Sequence, residues 1–230
     1  MNCLYCQEVI EQHVTWSTLF QANRTRLCEP CADQIEKISS AICQRCGRAM
    51  KENSICQDCE QWDKTADFQH VLTYNRSLYC YNEFMQEVIT KWKYRGDYQL
   101  REIFQHDIDI SLPTFFPIKD ITIVPIPLTE ERLYERAFNQ SEAIAEMIAK
   151  KWNRPIETIL KRKAQFSEKQ SKKSRKERLN TTNPFLLTKS LEKEVLLVDD
   201  IYTTGMTIHH AAKQLKAAGC PKVYSFTLIR

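Results

Sequence analysis

Eight of the ten cysteines lie within the first 59 residues of this 230-residue chain, where they form four Cys-x-x-Cys pairs. The gaps between successive pairs are 21, 11 and 9 residues. Two thiolates three positions apart on a tight turn reach one metal ion, and two such pairs complete a tetrahedral zinc site with Zn–S distances of about 2.3 Å. The spacing therefore predicts two zinc sites with eight ligands: Cys3, Cys6, Cys28, Cys31, Cys43, Cys46, Cys56 and Cys59.

The order of the pairs leaves two ways to share the zinc ions. Sequential pairing, first with second and third with fourth, gives two consecutive zinc ribbons, and we favour this arrangement. A cross-braced arrangement instead joins the first pair to the third and the second to the fourth. A disulfide framework needs an oxidising compartment, whereas we see no secretory signal at the N-terminus. We expect both zinc ions to be structural, because four thiolates leave no open coordination position.

Composition and charge narrow the possible functions. With 43% apolar and 27% charged residues, the chain has an ordinary globular composition. No run approaches the ~18 apolar residues of a membrane span, so we expect no integral membrane segment and a cytoplasmic location. The run 161–178 holds nine basic and two acidic residues. Such a run attracts nucleic acid or a polyphosphate, and an ordinary solvated loop explains it equally well.

Beyond residue 62 the pattern changes to strands that alternate with helices. This alternation predicts an α/β fold with a mostly parallel sheet and helices on both faces, occupying 63–230 behind a zinc-ribbon domain over 1–62. The predicted strands are 70–74, 121–127, 156–160, 195–198 and 222–229. The predicted helices are 81–95, 139–152 and 207–218, with a short one near 100–104.

The most specific motif follows the predicted strand 195–198. Asp199 and Asp200 come first, and a threonine-rich turn leads into the next helix. Ligands of open α/β sheets bind at the carboxyl ends of the strands, and N–H groups at the start of a helix bind phosphate. Two carboxylates beside such a turn suit a sugar phosphate. The predicted phosphate-binding residues are Thr203, Thr204, Gly205, Met206 and Thr207.

Residues 195–207 resemble the phosphoribosyl-pyrophosphate (PRPP) motif of type I phosphoribosyltransferases, which has four apolar residues, two acidic ones and a Thr/Gly loop. A double zinc ribbon joined to such a domain resembles the ComF family of late-competence proteins, specifically its ComFC type. Four further segments are similar to family patterns in the same order: 91–96 to Lys-Tyr-x-Gly, 124–128 to Val-Pro-x-Pro-Leu, 136–140 to Arg-Gly-Phe-Asn-Gln, and 170–180 to Gln-Ser-Gly-Leu-Ser…Arg…Asn. Ala137 replaces a family glycine, and Lys172 and Lys173 replace Gly-Leu.

The resemblance assigns roles to these residues. It implies that Asp199 and Asp200 are the catalytic carboxylates, which hold the ribose hydroxyls of PRPP directly or through Mg²⁺. It implies that the loop at Pro125, Ile126 and Pro127 approaches pyrophosphate, with Lys91 and Arg136 as further PRPP ligands. The segment 161–180 would be a flexible hood that closes over pyrophosphate through Lys169, Gln170, Lys172, Lys173, Arg175 and Arg178.

Two functions follow from the resemblance. The first is a phosphoribosyltransferase-type protein of DNA uptake and natural transformation, which binds PRPP with Mg²⁺ and transfers its phosphoribosyl group to an acceptor. The second is a non-catalytic scaffold that senses PRPP or binds single-stranded DNA, and that docks a ComFA-type DNA helicase through its zinc ribbons. Tyr94 and Tyr98 lie between cations, a composition that suits base stacking. The sequence shows a donor site and no acceptor site, so turnover stays open.

Overall fold

A computed structural model describes residues 1–10, 26–38, 41–94, 97–118, 120–163 and 183–230. The six predicted hood residues, Lys169, Gln170, Lys172, Lys173, Arg175 and Arg178, lie outside the described residues. Arg95 and Gly96, the end of the segment similar to Lys-Tyr-x-Gly, lie outside them as well.

The described chain forms helices and strands in alternation. The helices are α1 Glu29–Ala32, α2 Gln57–Lys64, α3 Glu83–Tyr94, α4 Glu102–Phe115, α5 Glu130–Arg136, α6 Gln140–Trp152 and α7 Met206–Ala217, with a 3-10 turn at Tyr98–Arg101. The strands are β1 Asn75–Tyr79, β2 Ile121–Pro125, β3 Leu160–Arg162, β4 Phe185–Leu187, β5 Glu194–Ile201 and β6 Val223–Ile229.

Four of these strands form a parallel sheet in the order β1–β6–β5–β2, and β3 pairs with β4 in a small antiparallel ribbon. The centre of the sheet is apolar on both faces, as a parallel sheet between two layers requires. Leu196 and Val198 of β5 pack in one core with α3, α4 and α6. Val195 and Leu197 pack in a second core with α7 and Trp62. These layers confirm the predicted α/β fold behind a cysteine-rich N-terminal region.

Several boundaries differ from the prediction. The segment 70–74 is not a strand: His70 has a left-handed φ of 59°, and β1 begins only at Asn75. The strand signal of β1 is weak because its inward residues Asn75 and Ser77 are polar and bond to each other. The predicted strand 156–160 reduces to a single parallel bridge at Ile156, with β3 starting at Leu160. Four short elements, α1, α2, α5 and β4, were not predicted.

The helix that was predicted over 139–152 begins as its sequence indicates. The Asn139 side chain accepts a hydrogen bond from the backbone N–H of Ser141 at 3.1 Å, which caps the helix. Trp92 on α3 is fully buried in the core between the sheet and the helix layer. Within the described ranges, no helix combines the length and apolarity needed to cross a bilayer.

Candidate functional site

The carboxyl ends of the four parallel strands meet at one edge of the sheet. There the loop after β2 adjoins the end of β5, because the N–H of Ile126 donates to the carbonyl of Val198 at 2.9 Å. The structure therefore brings the loop at Pro125, Ile126 and Pro127 next to the acidic pair that follows Val198. This edge is where open parallel sheets bind ligands.

The two carboxylates of the acidic pair are held by different helices. Asp199 Oδ1 accepts hydrogen bonds from the Ser141 hydroxyl of α6 at 2.9 Å and from the Asp200 N–H at 3.0 Å. Asp200 forms an ion pair with Lys93 at the end of α3. Burial raises the pKa of Asp199 to about 7, and the neighbouring Asp200 charge adds to the rise. The Asp199 carboxyl therefore holds its proton more readily than an ordinary aspartate does.

The lysine at the acidic pair is Lys93 and not Lys91. The Lys91 ammonium lies 3.6 Å from the centre of the Tyr5 ring in the cysteine-rich region, and the structure does not bring it to the site. The assignment of Lys91 as a PRPP ligand stays a prediction, and the structure gives it no contact with the acidic pair. The sequence carried a signal for Lys93, since it directly precedes Tyr94 and so matches the lysine of Lys-Tyr-x-Gly more closely.

The turn between β5 and α7, residues 202–205, is here called the anion turn. Its backbone N–H groups at Thr203, Thr204 and Gly205 have no acceptor among the residues that the structure describes. Gly205 has a φ of 81°, and a Cβ there would collide with the Tyr202 hydroxyl, so the position requires glycine. Thr203 is exposed, whereas Thr204, Met206 and Thr207 are half-buried around the start of α7. Free N–H groups at a helix start favour an anion.

Two arginines border the loop after β2. Arg136 is 8% exposed, donates to Gln140 Oε1 at 3.2 Å and lies over the Tyr94 ring, while its Nε has no partner in the described chain. Arg162 of β3 donates from Nε to the Pro127 carbonyl at 2.8 Å. Burial lowers the pKa of Arg162, and the nearby Asp199 charge opposes that change. Sequence reasoning placed Arg162 in the hood and missed its fixed position beside this loop.

The eight N-terminal cysteines form two groups. In each group the four Sγ atoms lie within 4.8 Å of one another, and the members are Cys3, Cys6, Cys28 and Cys31 in the first and Cys43, Cys46, Cys56 and Cys59 in the second. This grouping is the sequential pairing, and it excludes the cross-braced one. Four thiol ligands at this spacing suit tetrahedral zinc. Around the second group, the Cys56 N–H and Arg230 Nη2 donate to sulfur, as outer partners of a zinc site do.

Comparisons with known proteins agree with this architecture. The family model of the double zinc ribbon domain matches residues 1–60. Competence protein ComFC of Bacillus subtilis is 38% identical over 99% of this chain and 94% of its own length. Competence protein ComFC of Streptococcus pneumoniae is 32% identical over the full length of both chains, and competence protein F of Haemophilus influenzae is 24% identical over 89% and 90%.

The fold and the cysteine groups define a class of α/β proteins with a parallel sheet behind two zinc ribbons. Within that class, the identity to two ComFC proteins over nearly the whole chain shows that this chain belongs to the ComFC family of competence proteins.

Proposed function

We propose that this protein binds PRPP with Mg²⁺ at the carboxyl edge of its sheet and acts in cytoplasmic steps of DNA uptake during natural transformation. One observation carries the proposal: the acidic pair Asp199–Asp200 leads directly into a turn with three N–H groups that have no acceptor among the described residues. The turn supplies donors for a phosphate, and the carboxylates supply acceptors for ribose hydroxyls or ligands for Mg²⁺. The competence names of the relatives support the biological role.

Each part of PRPP has a partner in this proposal. The anion turn and the first turn of α7 hold the 5′-phosphate, and the acidic pair holds the ribose and Mg²⁺. The loop at Pro125–Pro127 approaches the pyrophosphate, with Arg136 and Arg162 beside it as fixed cations. Lys93 balances one carboxylate charge at the acidic pair. The six predicted hood residues, which lie outside the described chain, would complete the pyrophosphate site in this proposal.

The same groups would support phosphoribosyl transfer. In that reaction the bond from ribose C1 to pyrophosphate breaks, pyrophosphate leaves with the electron pair, and a lone pair of the acceptor forms the new bond to C1. Fixed cations beside the leaving group stabilise the charge that develops on it, and Mg²⁺ does the same when bound. The proposal includes this transferase chemistry.

A second candidate is a scaffold that binds single-stranded DNA and docks a ComFA-type helicase through the zinc ribbons. Exposed aromatics near the site favour it: Tyr94 is 61% exposed and Tyr134 is 92% exposed, and Arg136 lies against Tyr94. Aromatic rings between cations stack unpaired bases. Binding of a labelled oligonucleotide that weakens steeply with salt, and that Tyr94→Ala and Tyr134→Ala weaken further, would support this candidate.

The PRPP proposal is tested by calorimetry with PRPP and Mg²⁺. We expect wild type to bind and both Asp199→Asn and Asp200→Asn to bind at least about tenfold more weakly. Asp120→Asn is the matched control, because Asp120 is 72% exposed at the opposite end of β2. Equal heats for wild type and the two site variants, or no heat for folded wild type, would contradict the proposal.

A further inference from the structure

All four carbonyl groups of the anion turn accept hydrogen bonds from side chains. The Tyr202 and Thr203 carbonyls accept from Arg230 Nη1, the first at 2.9 Å. The Thr204 carbonyl accepts from the indole N–H of Trp62 at 3.2 Å. The Gly205 carbonyl accepts from His209 Nδ1 at 2.9 Å. Side chains therefore fix every peptide unit of the turn, and two of them, Trp62 and Arg230, come from distant parts of the chain.

Holding these carbonyls also sets the direction of the N–H groups. A peptide unit is planar and trans, so its C=O and the N–H of the following residue point in opposite directions. The three units with carbonyls bound by Arg230 and Trp62 carry the N–H groups of Thr203, Thr204 and Gly205. These are the three N–H groups without a described acceptor. Arg230 and Trp62 thus keep the anion-binding donors turned outward.

Both donors belong to the surroundings of the second zinc group. Trp62 lies on α2, three residues after Cys59, and its ring stacks on His209 at 4.0 Å with an interplanar angle of 8°. Arg230 donates from Nη2 to Cys46 Sγ at 3.1 Å and lies 4.5 Å from the centre of the Tyr202 ring. One guanidinium therefore joins a zinc ligand to the anion turn.

We propose that Trp62 and Arg230 are positioning residues through which the second ribbon, residues 41–64, sets the affinity of the anion turn for the 5′-phosphate of its ligand. The inference rests on the proposed function, since it concerns the phosphate end of PRPP. It adds that a zinc ribbon is part of the support of the ligand site.

The test compares ligands that occupy different parts of the site. Ribose 5-phosphate uses the anion turn, whereas pyrophosphate uses the loop after β2. Trp62→Phe keeps an aromatic ring on His209 and removes the indole N–H, and Arg230→Lys keeps the charge and removes the forked donor. Trp152→Phe, a half-buried tryptophan at the end of α6, is the matched control. Zinc content and melting temperature are measured for each variant.

We expect each site variant to bind ribose 5-phosphate and PRPP about five- to tenfold more weakly. The factor should be the same for the two ligands, and its size is that expected for the loss of one hydrogen bond. Pyrophosphate affinity and two zinc ions per chain are expected to be unchanged in them, and Trp152→Phe to match wild type. A general structural defect would weaken the binding of ribose 5-phosphate and of pyrophosphate alike. A loss of affinity confined to the ligands with a 5′-phosphate therefore excludes such a defect.

Two results would overturn the inference while leaving the proposed function intact. One is wild-type affinity for ribose 5-phosphate in both site variants. The other is an equal loss of ribose 5-phosphate and pyrophosphate affinity, which would indicate general destabilisation. A folded wild-type protein that binds neither PRPP nor ribose 5-phosphate would overturn the proposed function and this inference together.

Discussion

The two cysteine groups each consist of two Cys-x-x-Cys pairs, yet they attach to different parts of the molecule. The first packs on the helix layer: the Tyr5 ring lies 4.7 Å from Phe84 of α3, and Lys37 pairs with Asp107 of α4 at 2.7 Å. The second contacts the anion turn through Trp62 and through the Cys46–Arg230 bond. Both groups have four cysteine ligands, but the first supports the packing of the helices and the second supports the candidate ligand site.

The second ribbon also contacts the backbone of the sheet. β1 is an edge strand of the sheet, and its Asn75 N–H donates to the Arg45 carbonyl at 2.7 Å, while the Asn75 side chain donates to the Cys46 carbonyl at 3.0 Å. The second ribbon thus covers the start of an edge strand that would otherwise expose unpaired backbone groups, and residues 36–38 cover its end. The register pairs Asn75 with Ser225, so this contact lies at the amino end of β1, and the ribbon reaches the residue after β6 separately, through the Cys46–Arg230 bond.

The largest expected effect comes from removing one ligand of each group. Cys31→Ser and Cys59→Ser are matched, since each is the last cysteine of its group, lies on a short helix and is 5% exposed. We expect each variant to lose one zinc ion. Cys59→Ser should also lose ribose 5-phosphate affinity by more than about tenfold, whereas Cys31→Ser should stay within about twofold of wild type. Metal analysis and calorimetry measure both, and an equal loss in the two variants would break the comparison.

The second prediction concerns pH. Burial lowers the pKa of His209 beside Trp62 from 6.5 to about 4. Between these values the unfolded chain binds a proton that the folded chain does not. The contribution of neutral His209 to the free energy of unfolding is therefore fully present above pH 6.5 and is lost as pH falls towards 4. The loss is roughly 3 kcal/mol over the whole window. The described part of the first ribbon contains no histidine.

Urea unfolding of wild type and His209→Asn at several pH values measures this effect. Both proteins share the acid sensitivity of the zinc thiolates, so the difference between their unfolding free energies isolates His209. As pH falls from 7.5 to 5, wild type should lose more unfolding free energy than the variant, so its advantage over the variant should shrink. A difference that is constant with pH would show that His209 does not carry the effect.

A smaller effect is expected where the first ribbon contacts α3. Tyr5→Ala removes the ring that packs on Phe84 and under the Lys91 ammonium. We expect a loss of about 1–2 kcal/mol in unfolding free energy, with unchanged affinity for PRPP. Tyr5→Phe keeps the ring and serves as the control. A marked loss of ligand affinity in Tyr5→Ala would show that the first ribbon also supports the site.

The smallest effect is expected at a position outside both ribbons. Ala137 ends α5 with a left-handed φ of 66°, in the place where the family pattern has glycine. That conformation costs an alanine about 1–2 kcal/mol, and the entropy of an unfolded glycine offsets roughly half of this cost. Ala137→Gly should therefore raise the melting temperature by roughly 1–4 °C. A lower melting temperature would contradict this account of the position.

Local patterns predicted much of this molecule. The cysteine spacing indicated both metal groups, and the apolar run before Asp199 indicated the central strand β5. Patterns failed where stability comes from polar contacts: β1 was displaced because buried Asn75 and Ser77 do not look like core residues. They also failed for the support of the anion turn. The Arg230–Cys46 contact joins residues 184 positions apart, and no local sequence pattern predicts it.

The most direct test of the central claim is a crystal structure with PRPP and Mg²⁺, combined with anomalous scattering at the zinc edge. We predict the 5′-phosphate about 3 Å from the N–H groups of Thr203, Thr204 and Gly205, with Trp62 and Arg230 still bonded to the opposite side of the turn and zinc peaks at both cysteine groups. A ligand phosphate bound away from this turn, or turn carbonyls released from Trp62 and Arg230 and facing the ligand, would contradict the account.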